Sequence, residues 1–195
     1  MISFWVIDMK INDCVTIFSG GTPSTKNPDY WGGEFNWLSS GETREMLILD
    51  TEKKITQNGI DNSTTKLARP GDVVIASAGQ GKTRGQTSLI LIDTYVNQSV
   101  LVLRPDIQKI NPYVLFFNMY YRYEEMRIIS NASSSRGSLT KDLIGKMEID
   151  IPHIDIQNEI GAQLQNMCDL MQKNIEQISV ISDMMFHYFG LSTKV

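Results

Sequence analysis

The chain has 195 residues, 42% hydrophobic and 21% charged, enough to bury one substantial core and too few for several independent domains. Its 14 glycines and 6 prolines fall in no repeats or single-residue tracts, which excludes collagen-like, solenoid and disordered chains. The net charge of −4 excludes a protein that coats nucleic acid indiscriminately, since such binding is driven by counterion release at many basic contacts.

That average hides a division. Residues 1–62 carry 5 basic and 9 acidic side chains, 63–152 carry 11 and 8, and 153–195 carry 2 and 5, so the middle of the chain is its basic part. No apolar run approaches the roughly 20 residues that cross a bilayer, and MISFWVIDMK has no basic leader before its brief apolar stretch. Neither a membrane partner nor secretion is expected. Cys14 and Cys168 make neither a disulfide framework nor a CxxC pair, which fits a reducing cytoplasm.

In chain order, Lys10 to Phe18 is a short amphipathic stretch, followed by GGTPSTKNPDYWGGEFNWLSSGE. The density of Gly, Pro, Ser, Thr and Asn there predicts an ordered loop. Trp31, Phe35 and Trp37 within it either pin the loop to the core or stack on exposed bases. Next come VVIAS at 73–77, LILI at 89–92 and VLVL at 100–103, which read as core strands of one sheet. Asn111-Pro112 is a good helix start, with Asn at the cap and Pro in the first turn. The helix runs to about Arg127, and Tyr113, Phe117, Tyr120 and Tyr121 form its predicted core face. A polar stretch, NASSSRGS at 131–138, precedes a helical turn near 139–144 and a last strand, MEIDIP at 147–152.

Beyond Pro152 the pattern changes to a proline-free stretch, Asp155 to Phe189, stopped at Gly190. Ile160, Leu164, Met167, Met171, Asn174, Ile178, Ile181, Met185 and Tyr188 alternate spacings of four and three, which is a coiled-coil seam. A helix of this length reaches roughly 50 Å, so it needs another long helix beside it, unless it packs along the domain as an ordinary core helix. Asn174, the one amide in the seam, is suited to fixing register and partner number.

The chemistry of enzymes is mostly missing. ASAGQGKT at 76–83 looks like a phosphate-binding loop, and Lys82 and Thr83 would then serve a nucleotide-binding enzyme. That mechanism requires a helix to begin at the Gly-Lys-Thr, whereas RGQTSLILID follows and reads as turn and strand. Asn111-Pro112-Tyr113 lacks a proline of the adenine-methyltransferase tetrapeptide, and no glycine-rich cofactor loop accompanies it. His153 and His187 have no acid or nucleophile at useful spacing, and with two scattered cysteines they make no metal site. The chain reads as non-catalytic, without cofactor or metal.

GGTPSTKNPDYWGGEFNWLSSGE, PGDVVIASAGQGKTRG, VNQSVLVLRP with NPYVLFF, and GSLTKDLIGKMEIDIPHIDIQNEI resemble, in order, the successive motifs of the DNA specificity subunit of type I restriction-modification enzymes. The likeness extends from about Trp5 to Phe189. It departs at Pro152-His153-Ile154 and Ile156-Gln157, where the family usually has Pro-Pro-Leu and then Glu-Gln. The resemblance implies an α+β chain resembling half of such a subunit. A mixed-sheet target recognition domain (1–152) would be followed by one long coiled-coil helix (153–190) and a short tail (191–195). It also implies double-stranded DNA as ligand, a separate modification subunit that methylates adenine, and a restriction subunit that cleaves. A homodimer through Ile160, Leu164, Met167, Met171, Asn174, Ile178, Ile181 and Met185 would present two copies to a bipartite palindromic site. For DNA contact, the polar segments offer Gln80, Lys82, Thr83, Arg84, Gln86, Ser133, Ser134, Ser135, Arg136 and Lys141. Arg84 and Arg136 could take guanine bidentately, whereas Lys82 and Lys141 suit phosphate.

Overall fold

Two sheets and a set of helices share the apolar runs between them. The computed structural model describes residues 6–79, 81–133 and 137–189. The chain begins with β1 (Val6–Lys10), α1 (Ile11–Cys14) and β2 (Val15–Ser19). Next come β3 (Trp31–Leu38), β4 (Leu47–Ile48), β5 (Lys53–Ile55), α2 (Gln57–Asp61) and β6 (Lys66–Ala68). The central strands are β7 (Val73–Ala76), β8 (Thr87–Ile90), β9 (Thr94–Val96) and β10 (Val100–Pro105). Then follow α3 (Pro112–Tyr121), α4 (Tyr123–Ser133), α5 (Lys141–Gly145), β11 (Glu148–Pro152) and α6 (Ile154–Phe189).

The central sheet has the order β2-β10-β7-β8-β4, with β4 parallel to β8 and its other pairs antiparallel. A second sheet runs β5-β3-β9-β6 and is likewise mixed, since β3 and β9 are parallel. A ribbon of β1 and β11 completes the strands. This is the mixed α and β architecture with a long C-terminal helix that the sequence leads one to expect; VVIA, the first half of LILI and VLVL lie in one sheet, while Leu91 and Ile92 fall past the end of β8.

Both faces of that sheet are covered, which explains why its strands are continuous apolar runs rather than alternating ones. Val73, Ile75, Leu101 and Leu103 face the helical side with Leu115, Phe116, Met119, Ile144 and Cys168. Val74, Val100 and Val102 face the second sheet with Leu38, Ala68 and Val96. All are buried.

Three expectations need correction. The stretch read as an ordered loop contains β3, which has an irregularity between Trp31 and Phe35, both of them opposite Ile55. Trp37 is buried and meets Trp31 edge-to-face at 5.0 Å between ring centroids. Their indole N–H groups donate to Gly21 O (3.3 Å) and Ser24 O (3.2 Å), so the tryptophans do pin the segment before them. The helix expected from 112 to 127 is two helices. Arg122 leaves helical geometry between them (φ −94°, ψ 19°), and its guanidinium is tied to Glu125 (2.6 Å) and to Glu148 O (2.8 Å) at the edge of β11. The buried stripe of α3 is Leu115, Phe116 and Met119, while Tyr120 and Tyr121 are 38% and 80% exposed. PYVLFFNMYY is apolar all round, so periodicity could not choose its inner face.

α6 corrects the third. Its first half lies on the domain: Gln157, Gly161 and Cys168 are buried, and Met171 packs against the core. Of the predicted seam, Leu164 and Met171 are half-buried, whereas Ile160, Met167, Asn174, Ile178, Ile181 and Met185 are exposed. Every residue from 173 to 189 is exposed, although Ile175 still lines a groove with residues of the segment 42–52; about 20 Å of helix continues beyond it. The domain therefore covers more of the helix than its length alone implies, and stops covering it at about residue 175.

The seating of α6 rests on Gln157. Its Nε2 donates to Lys109 O (3.1 Å) and Pro152 O (2.9 Å), and its Oε1 accepts from Asn111 N (3.1 Å). Asn111 in turn caps α3, accepting from Tyr113 N and Val114 N, and donates to Asn158 Oδ1. Gly161 brings the helix so close to this cap that a Cβ there would stand 2.4 Å from Asn111 Oδ1. One buried amide thus satisfies three backbone groups from two segments, the turn 109–111 and the end of β11. Gln157→Leu keeps the bulk and strands all three. At roughly 1–3 kcal/mol per unsatisfied buried group, we expect a loss of at least about 2 kcal/mol in urea unfolding; a change below about 0.5 kcal/mol would contradict this seating.

Candidate nucleic-acid interface

The segment between β7 and β8 folds back on itself as an antiparallel hairpin. Gly85 N donates to Ala76 O (2.9 Å), Ala76 N to Gln86 O (2.9 Å) and Gln86 N to Thr83 O (3.0 Å). Gly79, Gly81 and Gly85 have φ of 122°, 86° and 88°, the left-handed region that glycine enters without cost. Since β7 and β8 are antiparallel and no helix starts at Gly81-Lys82-Thr83, the phosphate-binding-loop reading fails. The amides that would cradle a phosphate are part of a hairpin.

The hairpin leans on α4. Tyr123 Oη donates to Lys82 O (2.7 Å), and Arg127 Nη1 donates to Gly81 O (2.6 Å) and Arg84 O (3.3 Å). The Arg127 guanidinium also lies 5.4 Å from the centroid of the Tyr123 ring. Arg84 is turned inward, 8% exposed, and donates to Gly137 O and to Asn131 Oδ1. Its Nε is buried without a hydrogen-bond partner among the described residues. The hairpin also meets the segment after α4 at Ser77, whose carbonyl accepts from Leu139 N (2.8 Å) and Ser138 Oγ (3.3 Å).

With its carbonyls held from behind, the hairpin turns Lys82 fully and Thr83 and Gln86 partly to solvent. Lys82 and Gln86 line a groove of about 340 Å³ with Thr43, Arg44, Tyr120 and Tyr123. Arg44 is exposed and paired with Glu52 (2.9 Å) and Glu45 (3.3 Å). Among the described residues no ion pair engages Lys82, Arg84 or Arg127, whereas Arg104 and Arg122 are paired with Asp72 and Glu125. Cationic charge is therefore left uncompensated around the hairpin, which favours an anionic ligand.

The sites expected from sequence thus separate. Lys82 and Gln86 stand together at the groove, and Thr83 is half-buried in the hairpin beside them. Arg84 lies beside them but is buried, which corrects its placement as an exposed guanine reader. Lys141 is exposed at the start of α5, outside the groove. Gln80, Ser134, Ser135 and Arg136 lie outside the described residues, and only the backbone of Ser133 is described, at the end of α4. Sequence reasoning missed Arg44, Tyr123, Arg127 and Asn131. Tyr123 and Arg127 stand four apart on one helix, a spacing that makes them neighbours, but nothing in the sequence indicates which loop they hold. Burial, then neighbouring Asp13, pushes the Cys14 thiol up to about 11; burial also raises Cys168. Neither is set up as a nucleophile.

Residues 4–180 match the model of the type I restriction modification DNA specificity domain. The chain belongs to this specificity family. It is 23% identical over 187 residues to the type I restriction enzyme MjaIX specificity subunit of Methanocaldococcus jannaschii, covering 92% of this chain and 42% of that protein. It is 24% identical over 146 residues to the EcoR124I/EcoR124II specificity subunit of Escherichia coli, covering 73% and 36%. Its fold is similar to that of a type I restriction-modification S subunit from M. genitalium (TM-score 0.66, 14% identity, 94% and 45% of the two chains). It is also similar to the HsdS subunit of Thermoanaerobacter tengcongensis (TM-score 0.62, 17% identity, 90% and 39%). The chain spans less than half the length of these specificity subunits.

The geometry predicts opposite outcomes for two neighbouring cations of this specificity domain. Arg84→Ala removes a buried brace between two segments and is expected to cost about 1–3 kcal/mol of unfolding free energy. Lys82→Ala, at the surface, is expected to stay within about 0.5 kcal/mol. Equal, negligible losses in denaturant titrations would show that Arg84 is not a brace.

Proposed function

We propose that this chain reads DNA sequence for a type I restriction-modification system, as a non-catalytic subunit acting in the cytoplasm. Its groove face supplies the contacts. Lys82 and Arg44 there, and Lys141 outside the groove, suit phosphate, while Thr83 and Gln86 are the described candidates for base edges. Gln80, Ser133, Ser134, Ser135 and Arg136 remain candidates by residue type alone, with the arginine chemistry of Arg136 suited to guanine. The reading that a nucleotide is bound through Lys82 and Thr83 is set aside. The observation that carries the proposal is the family match over residues 4–180. The unpaired cations at the hairpin agree with it.

We further propose that the chain acts as a homodimer. Ile178, Ile181 and Met185 continue the seam on the projecting part of α6, where they are 65%, 56% and 50% exposed. An apolar stripe of this extent marks an interaction surface. A second α6 covering it would place residues 153–190 as a spacer between two recognition domains spanning residues 1–152, with Asn174 setting register. No described helix is long and apolar enough to cross a membrane, so a bilayer-spanning role does not compete for that stripe. The dimer would direct adenine methylation by a modification subunit and cleavage by a restriction subunit.

One experiment tests both parts. In a host carrying this chain and its modification subunit, sequencing of methylated adenines is expected to reveal a bipartite site with palindromic halves. An asymmetric bipartite site would overturn the homodimer, and methylation independent of sequence would overturn the recognition role.

A further inference from the structure

We propose that α4 is a template for the reading hairpin, and that Tyr123, Arg127 and Arg84 are positioning residues that set DNA specificity by fixing the hairpin's shape. The inference rests on the recognition role proposed above, but its structural half can be tested without DNA.

The connection from β7 to β8 contains SAGQGKTRGQ, with alanine as its one apolar residue. Such a segment cannot order itself by burying side chains. Beyond its own backbone bonds and those to residues 137–139, it is held by side chains of α4. Carbonyls of three residues in the run 81–84 accept from Tyr123 and Arg127, and the Arg84 guanidinium reaches Asn131, two turns further along α4. Contact is close as well: at Gly85 a Cβ would lie 3.3 Å from the Tyr123 ring, and φ there is +88°. The hairpin is therefore moulded to a helix face.

The energetic consequence differs for the two kinds of DNA contact. Base edges are read by hydrogen bonds that demand fixed geometry, whereas phosphate contacts are long-ranged and tolerate movement. Loosening the hairpin should weaken recognition of a chosen sequence and leave binding to random duplex nearly unchanged, because ordering then has to occur on binding. Substitution on α4 at Arg127, which is not part of the groove lining, would redirect or blur specificity.

Two measurements test this on the full chain. In hydrogen exchange, Arg127→Ala is expected to accelerate the amides of Gly85 and Gln86 at least tenfold while those of β10 stay protected. Tyr123→Phe, which removes one hydroxyl, should do the same more weakly and covers the case in which Arg127→Ala unfolds the chain. Unchanged protection of the hairpin in both variants would overturn the template. In the second measurement, the chain assembled with its modification subunit selects from a pool of randomised duplexes. The wild type should recover a consensus, and Arg127→Ala should lose information at several positions while binding the unselected pool within twofold. Arg127→Lys, which restores charge but only part of the hydrogen bonding, should recover the consensus incompletely. An unaltered consensus in Arg127→Ala would overturn the positioning role, and equal loss on selected and unselected duplexes would make Arg127 a phosphate contact instead. A wild type that yields no consensus would sink the recognition role itself, leaving the exchange result to decide the template alone.

Discussion

The buried amide of Gln157 holds the molecule's shape. It is bonded to the end of β11 and, twice, to the turn and cap before α3, two segments that would otherwise meet with three unpaired backbone groups. Because the amide lies in the first turn of α6, it fixes where the long helix leaves the body. Gly161 then lets the helix press against Asn111, and Cys168 and Met171 carry the contact into the core. From residue 173 the helix is exposed, and beyond Ile175, which still lines a groove with residues of the segment 42–52, it continues alone. An amide whose partners are all backbone groups is costly to replace, so the angle between helix and domain is set by chemistry rather than by packing alone.

On the far side of the same domain, the sheet provides the second fixed point. Its strands are buried on both faces, so the connection between β7 and β8 starts and ends at rigid positions. The hairpin there gains its shape from α4, which begins immediately after the break at Arg122. The tie from Arg122 to Glu148 O links that break to β11, the strand that leads into Gln157. Reading surface and projecting helix are thus supported from one connected framework.

Much of this was legible in the sequence for a definite reason. Runs such as VVIAS and VLVL are apolar without alternation because both faces are buried, and the seam of α6 shows itself by its strict spacing. The aromatic stretch hid β3 because glycine, proline and asparagine mask strand character, although its odd positions hold the tryptophans and Phe35. The inner face of α3 could not be chosen because apolar residues surround the helix. At the hairpin, composition pointed to the right segment but could not tell an inward arginine from an outward lysine: Arg84 and Lys82 stand two apart in the same polar run. Tyr123 and Arg127 act through backbone carbonyls, and bonds to carbonyls leave no mark on the sequence that accepts them. Gln157 belongs to a motif whose neighbours depart from the family pattern, yet the glutamine is retained where three backbone groups need it.

The central claim is that α6 leaves the domain as a rigid rod fixed at Gln157. Spin labels at cysteines introduced at Asn58 and Asp183 would measure it by electron–electron distance, with labelled chain diluted in unlabelled chain and the buried Cys14 and Cys168 left in place. A single narrow distance distribution is predicted, broadening when Gln157 is replaced by Ala. A broad distribution in the otherwise unaltered chain would mean that the helix swings freely, and would contradict the account.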